Sequence, residues 1–231
     1  MLQGLSQKFR GGCMMLLRDD GQQVAFLGTA FLVDSKGYLL TAAHLVNNPE
    51  NLRVAPTDAG DGFIPMTFDR VAAMPVRVSQ LDAAHGTALL KLELEENIDI
   101  GVPDDFLGTA ENVRPGASIM SLGYAFGHDQ LHTILTVGGF VAAKILTPNG
   151  TNLILFDNMA QDGDVGGPLV HAADGHIVGL VSGRFEPAEV ARGSTEWDRK
   201  PPRDTNISYA VAIDYGIALM EKEGLHEQVA G

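Results

Sequence analysis

Two histidines at a metal-binding spacing are the first candidates for chemistry in this sequence. His128 and His132 lie four residues apart in the run His-Asp-Gln-Leu-His, and on a helix this spacing places both rings on one face, as in zinc-dependent hydrolases. The β-branched residues of the following stretch, Thr133 to Val137, favour a strand instead, and a strand would separate the rings too far to hold one ion. The sequence therefore predicts no metal site here.

A second histidine pair flanks a turn. His171 and His176 enclose Ala-Ala-Asp-Gly, and on an antiparallel hairpin their side chains could face one another. We expect two solvated hairpin positions rather than a site.

Short apolar segments separated by turn residues dominate the first half of the chain. This spacing is typical of an antiparallel barrel, predicted over about residues 10–100. The segments are Cys13 to Leu17, Val24 to Val33, Tyr38 to Thr41, Asn51 to Ala55, Val71 to Val78 and Ala88 to Leu94. Ile98 to Gly108 contains Pro103 and shows no periodicity, so we expect a linker at about 101–110.

The second half repeats this pattern and predicts a second barrel over about residues 111–212. Its segments are Ser118 to Gly123, Thr133 to Lys144, Leu153 to Phe156, Pro168 to Val170, His176 to Val181 and Ile207 to Val211. Asp214 as a helix cap and Gly224 as a stop predict a C-terminal helix at about 214–223, packed on the second barrel.

One long segment differs in composition from the rest. Arg184 to Thr205 is rich in charge, Pro and Gly and contains the single tryptophan, Trp197. We expect a surface loop, because the Pro201-Pro202 pair resists regular structure. The sequence does not assign a role to this loop.

Two stretches carry a family resemblance. Gly28 to Val33 followed by Tyr38 to His44, and Gly163 to Val170 followed by Gly175 to Gly183, resemble the histidine strands, nucleophile loop and substrate strand of trypsin-like serine proteases of the HtrA-like branch. Weaker matches, at 114–127 and 207–214, extend the resemblance over roughly residues 10–225, without a PDZ domain. The implied fold is all-β, with two six-stranded antiparallel barrels of the chymotrypsin type and a C-terminal helix.

The resemblance also assigns the catalytic positions, and two of the three have lost their chemistry. His44 matches the general base. Gly86 stands where the family has its aspartate, and Val165 stands where it has its serine. Since a hydrocarbon side chain has neither a lone pair nor a proton to give up, the acyl-enzyme route is closed. Asp82, four residues upstream, is a poor substitute for the acid, and His85 cannot replace it because it offers no fixed negative charge.

Two binding features of the family need only backbone atoms. The N–H groups of Gly163, Asp164 and Val165 could still form an oxyanion hole. The strand Leu180, Val181, Ser182 and Gly183 could still pair with an extended peptide. We therefore expect a catalytically inactive protease homologue, a pseudoprotease, that binds a peptide or protein partner in the old substrate cleft.

Two alternatives stay open. The chain could be an active peptidase with a non-standard nucleophile, for which Ser182, Ser194 and Thr195 are the candidates. It could also be a purely structural scaffold whose groove binds nothing.

Composition excludes several other functions. The net charge of −13 and the sequence pI of about 4.8, without a basic patch, argue against nucleic acid as a partner. No apolar run approaches the ~20 residues of a membrane span, so we expect no membrane insertion. Nothing indicates a cofactor.

The single cysteine, Cys13, is compatible with the cytoplasm; a periplasmic or secreted location would apply if an upstream signal had been removed. The oligomeric state is not predicted.

Overall fold

Two β-barrels, built from twelve strands, form the described part of the chain. The computed structural model describes residues 2–57, 60–67, 70–93, 100–186 and 205–225. The strands of the first barrel are β1 (Cys13–Asp19), β2 (Val24–Asp34), β3 (Tyr38–Ala42), β4 (Leu52–Ala55), β5 (Met74–Asp82) and β6 (Thr87–Leu92). They close in the order β1-β2-β3-β6-β5-β4, with every neighbouring pair antiparallel.

The second barrel has the same number of strands and the same closed form. Its strands are β7 (Ser118–Gly123), β8 (Leu135–Leu146), β9 (Asn152–Phe156), β10 (Pro168–His171), β11 (Ile177–Arg184) and β12 (Ser208–Ala212). They close in the order β10-β11-β12-β9-β8-β7. Closure leaves no open sheet edge along the paired strands, and the predicted fold class of two six-stranded antiparallel barrels is confirmed.

Two helices lie at the ends of the described chain. The N-terminal helix, α1 (Leu2–Arg10), has no counterpart among the sequence predictions. The C-terminal helix, α2 (Ile213–Lys222), matches the predicted one within a residue at each end. Neither helix, nor any other helix in the described ranges, is long and apolar enough to cross a membrane.

Helix α2 contacts the first barrel as well as the second, on which it was expected to pack. Gly216 lies against Leu40 of β3, so closely that a Cβ on this glycine would be 2.6 Å from a Leu40 methyl group. Just after the helix, the Glu223 carboxylate accepts a 2.6 Å hydrogen bond from Gln80 of β5. On the other side, the Tyr215 hydroxyl donates to the C=O of Gly150 in the second barrel. The helix therefore ties the barrels together.

Thr29 of β2 joins the barrels at the level of the predicted site. This buried hydroxyl donates to the C=O of Gly163 at 2.7 Å and accepts from the N–H of Tyr124 at 3.0 Å. Its backbone N–H donates to the C=O of Val165 at 2.8 Å, and its C=O accepts from the Thr41 hydroxyl at 2.7 Å. One residue thus fixes the turn before β10 against the first barrel.

Candidate functional site

His44 lies where the first barrel meets the second. It belongs to the short 3-10 helix Ala43–Val46 that follows β3. The N–H of Ala43 donates to the C=O of Gly86 at 2.9 Å, which brings the predicted base and acid positions together. Burial lowers the pKa of His44 to about 4, so the imidazole is neutral at pH 7. A neutral ring could take up a proton, provided that a neighbouring group has one to give.

The acid position is part of a tight turn between β5 and β6. Gly86 has a backbone φ of 77°, in the left-handed region that glycine adopts without strain. The nearby Asp82 does not replace the missing carboxylate, because both its oxygens bond to His85: one accepts from the backbone N–H at 3.1 Å, the other contacts Nδ1 at 2.7 Å. The His85 ring in turn stacks on Tyr215, with ring centroids 4.1 Å apart.

At the nucleophile position, the Val165 side chain is part of the core. It is 7% exposed and belongs to a buried apolar cluster that also contains Leu40 and Tyr124. Its backbone carbonyl accepts a 2.8 Å hydrogen bond from the N–H of Thr29. Position 165 therefore offers packing surface where acyl transfer would need a hydroxyl.

The N–H groups of the predicted oxyanion hole already have acceptors in this structure. Residues Asp162–Asp164 form a 3-10 helix. The N–H of Gly163 donates to the C=O of Ala125 at 3.3 Å, that of Asp164 to Gln161 at 3.0 Å and that of Val165 to Asp162 at 3.4 Å. Because each predicted donor already has an acceptor, this conformation does not present a set of N–H groups to an anion.

Asp164 is a buried acid beside the old nucleophile position. It is 7% exposed, and its carboxylate accepts a 2.8 Å hydrogen bond from the N–H of Gln161. Burial raises the pKa of Asp164 to about 6, against the smaller opposing effect of this hydrogen bond. Its protonation state therefore changes in a mildly acidic range.

Comparison with known proteins identifies the family. The family model for the trypsin-like peptidase domain matches residues 28–180. The chain belongs to this family.

The similar proteins lie in the HtrA-like branch. A probable periplasmic serine endoprotease, DegP-like, from Pseudomonas putida (strain W619) is 28% identical over 214 residues, which are 90% of this chain and 37% of that protein. Another from Pseudomonas fulva (strain 12-X) is 27% identical over 162 residues, 69% of this chain and 29% of the relative. Serine protease HTRA1 from Xenopus laevis is 28% identical over 66% of this chain and 30% of its own length. The chain thus spans about a third of the length of these curated relatives.

Solved structures agree with the fold. The HtrA-type protease AlgW with a tripeptide superposes with a TM-score of 0.69 at 21% identity, covering 99% of this chain and 65% of that one. The same protease with a decapeptide gives a TM-score of 0.70 at 19% identity, covering 99% and 69%. These likenesses concern the double-barrel fold.

The predicted peptide-binding strand of this trypsin-like domain is only partly available. Leu180 pairs with Pro168 of β10 on one side and with Val211 of β12 on the other. Val181 donates its N–H to Gly167 and accepts from Gly166, both at 2.8 Å. An added strand could not replace these bonds without opening the barrel, so in this structure the backbones of Leu180 and Val181 are not available for the predicted strand addition.

The last residues of β11 continue past the end of β10. Ser182, Gly183 and Arg184, which we call the exit segment, lie beyond the last β10–β11 pair. Gly183 and Arg184 pair with β12, and the Ser182 carbonyl accepts from the Tyr209 hydroxyl at 3.2 Å. The two remaining predicted residues, Ser182 and Gly183, therefore have no pairing partner on β10.

Of the three candidates for a non-standard nucleophile, the structure describes only Ser182. The Ser182 hydroxyl is buried and donates to the C=O of Leu180 at 3.0 Å. Ser194 and Thr195 lie outside the described residues, as does most of the predicted loop Arg184 to Thr205.

Among the described residues, neither histidine pair belongs to a group of three or more side chains that could hold a metal ion. His128 lies in a single 3-10 turn, Gly127–Asp129, and its ring meets Phe26 edge-on at 4.8 Å. His171 and His176 both contact the turn residue Asp174 instead of facing one another: their Nδ1 atoms lie 2.8 and 3.4 Å from its carboxylate oxygens.

Sequence reasoning missed Arg184 as a site residue. Its Nε donates to the C=O of Ala160 at 3.1 Å, and one terminal nitrogen donates to the side-chain oxygen of Gln161 at 3.0 Å. Both acceptors precede the turn that ends at Val165. The only signal in the sequence was an arginine directly after the predicted substrate strand.

Proposed function

We propose that this chain is a catalytically inactive member of the trypsin-like peptidase family that binds a peptide or protein partner in the former substrate cleft. The observation that carries the proposal is Val165, a core hydrocarbon at the nucleophile position. His44 has no proton to remove from this side chain, so nucleophilic catalysis by the family's route has no first step.

Two further features support inactivity. Gly86 contributes no carboxylate to orient an imidazole or stabilise its charged form. The internal bonds of Gly163, Asp164 and Val165 remove the electrostatic stabilisation that could act without a nucleophile. In serine proteases, loss of the nucleophile alone lowers turnover by a factor on the order of 10⁶.

Binding is supported by the exit segment. Extended peptides bind to sheets where a strand has an unpaired side, and Ser182 to Arg184 lie past the end of β10. The solved AlgW structures with peptides have the same double-barrel fold. These two observations favour a peptide partner over a scaffold without a ligand.

For the location, we propose the periplasm or the exterior of the cell. The Pseudomonas relatives are named periplasmic proteases, and nothing supports the cytoplasmic expectation. Fractionation of the source cells tests this proposal: recovery of the chain with cytoplasmic marker proteins would contradict it.

The test of inactivity is active-site labelling. The purified chain is treated with a fluorophosphonate probe and assayed for casein digestion, with trypsin as the positive control. We expect no label and no cleavage. A His44→Ala variant is the matched control, because any labelling that depends on the family's base must disappear in it.

Two outcomes would count against the proposal. A labelled native chain would show that it is an active hydrolase, and the modified residue would identify the nucleophile. If the chain stays unlabelled but binds no pool of random octapeptides, the peptide-binding part of the proposal is wrong.

A further inference from the structure

Arg184 places a positive charge beside the loop that precedes the predicted nucleophile position. It is the last residue of β11 and of the exit segment, and it is partly buried. Its guanidinium reaches the loop before the nucleophile position through Ala160 and Gln161. A peptide that lies along the exit segment would therefore run past this charge.

The groups that hold this charge are neutral. One acceptor is a backbone carbonyl and the other is a side-chain amide oxygen. Among the described residues, no carboxylate lies within ion-pair distance of Arg184. Arginine binds a carboxylate with two parallel hydrogen bonds, which are shorter and about twice as strong as bonds to neutral acceptors.

The Gln161 contact is one that a ligand could replace. The amide side chain is partly exposed and donates to the C=O of Met159 at 3.3 Å. It also accepts from the N–H of Asp164, and this N–H would keep its 3.0 Å bond to the backbone C=O of Gln161 if the side chain moved away. A carboxylate in the place of its oxygen would satisfy the same donor of Arg184 and add an ionic attraction. The backbone bond to Ala160 would still keep the guanidinium in position.

We propose that Arg184 is a specificity-determining residue that selects peptides with an acidic side chain beside the exit segment. This inference rests on the proposed function, because it requires that a peptide binds there. The net charge of −13 repels acidic peptides in general, and at physiological salt this repulsion is screened beyond ~8 Å. The preference must therefore come from the local contact with Arg184.

The experiment measures the binding of matched peptide pools. Rhodamine-labelled, C-terminally amidated octapeptides carry random residues around one fixed position, which is Glu in one pool and the equally long but neutral Gln in another. A third pool has the fixed Gln and a free C-terminal carboxylate. Fluorescence anisotropy gives an apparent Kd for each pool with the full chain.

Three variants accompany the native chain. Arg184→Gln removes the charge, and Arg184→Lys keeps the charge but loses the two-pronged geometry. Arg114→Gln is the control, because it also removes one exposed positive charge but at a different place. Arg114 precedes the start of β7, whereas the residue of β7 that contacts Asp164 is Gly123, at the other end of the strand. Circular dichroism confirms that each variant is folded; if Arg184→Gln is not, the comparison rests on Arg184→Lys.

We expect the native chain and Arg114→Gln to bind the Glu pool about tenfold more tightly than the Gln pool. Arg184→Gln should bind both pools alike, and Arg184→Lys should fall between. Equal binding of the two pools by the native chain, or an unchanged preference in Arg184→Gln, would overturn this inference while leaving the proposed function intact. A preference for the free-carboxylate pool over the Glu pool would overturn the assignment to a side chain. No binding of any pool by the native chain would contradict the proposed function itself.

Discussion

At the position of the missing acid, the backbone itself favours glycine. Gly86 has φ 77°, and a Cβ there would have a Val211 methyl group, 4.0 Å away, as its nearest neighbour. The site thus has space for a side chain but holds a backbone conformation that most residues adopt only with strain. Conformation, and not crowding, sets the cost of a substitution here.

This argument predicts an order of stabilities at position 86. Gly86→Ala should lower the free energy of unfolding by about 1 kcal/mol, whereas Gly86→Asn should cost less because asparagine tolerates the left-handed region. Urea denaturation measures both. Gly101→Ala is the control, since a Cβ there meets nothing within 4 Å. Equal stability of Gly86→Ala and the native chain would show that the backbone at 86 relaxes freely.

Cys13 is a second residue whose behaviour follows from burial. It is 2% exposed, and desolvation raises the pKa of its thiol to about 12. Since the thiolate is the reactive form, we expect no modification by Ellman's reagent in the native state and one thiol per chain in guanidinium chloride. Rapid modification of the folded chain would mean that the region around β1 opens easily.

Between elements, the turn before β10 depends on one hydroxyl. Thr29 donates to Gly163 and accepts from Tyr124, so the isosteric Thr29→Val leaves two buried backbone groups without this partner. We expect a loss of roughly 3 kcal/mol in the free energy of unfolding. Thr29→Ser keeps the hydroxyl and should lose less than about 1.5 kcal/mol for the removed methyl group. A Thr29→Val variant as stable as Thr29→Ser would show that the hydroxyl does not couple the barrels.

The elements also show what sequence alone could predict. The strands were found because apolar runs and Asp/Gly turns alternate along the chain, and the positions of His44, Gly86 and Val165 followed from motif order. Helix α1 was missed because it has only 9 residues, so that the helical spacing of Leu2, Leu5 and Phe9 covers little more than two turns. The acceptors of Arg184 lie 23 and 24 residues away along the chain, a contact that no local pattern reports.

The sequence also could not show that the N–H groups of Gly163, Asp164 and Val165 already have acceptors in the folded chain. A glycine-rich sequence allows both an open and a closed turn. The choice depends on carbonyls such as that of Ala125, which the second barrel supplies only after it has formed. Motif order therefore predicts where the site lies, but it does not predict which conformation the turn adopts.

At the scale of the whole molecule, the terminal helices cross-brace the two barrels. Helix α1 precedes the first barrel, yet Ser6 bonds to Thr136 of β8 at 2.9 Å. Helix α2 follows the second barrel, yet it contacts Leu40 of β3. Because each terminal helix contacts the barrel that is more distant from it in the sequence, we expect the two barrels to unfold together. The global free energy of unfolding then reports on buried groups at their interface.

Two such groups give opposite pH dependences. The pKa of Asp164 is raised from its ordinary value of 3.8 to about 6 in the folded chain. Between pH 3.8 and about 6, the unfolded chain loses this proton while the folded chain keeps it. The free energy of unfolding therefore falls as the pH rises through this range. The pKa of His44 is lowered to about 4 from 6.5. Between about pH 4 and 6.5, only the unfolded chain binds a proton at His44, so the free energy of unfolding rises with pH. At about 1.4 kcal/mol per pH unit, each contribution amounts to roughly 3 kcal/mol.

In the native chain these contributions largely cancel between pH 4 and 6, and single variants should separate them. Asp164→Asn leaves the effect of His44, so its free energy of unfolding should increase from pH 4 to 6. His44→Gln leaves the effect of Asp164, so its free energy of unfolding should decrease over the same range. Urea denaturation at half-unit pH steps measures both slopes. Exposed carboxylates contribute equally to all three proteins, so the difference between the slopes isolates the two buried groups. Parallel curves would show that neither group titrates differently in the folded and unfolded chain.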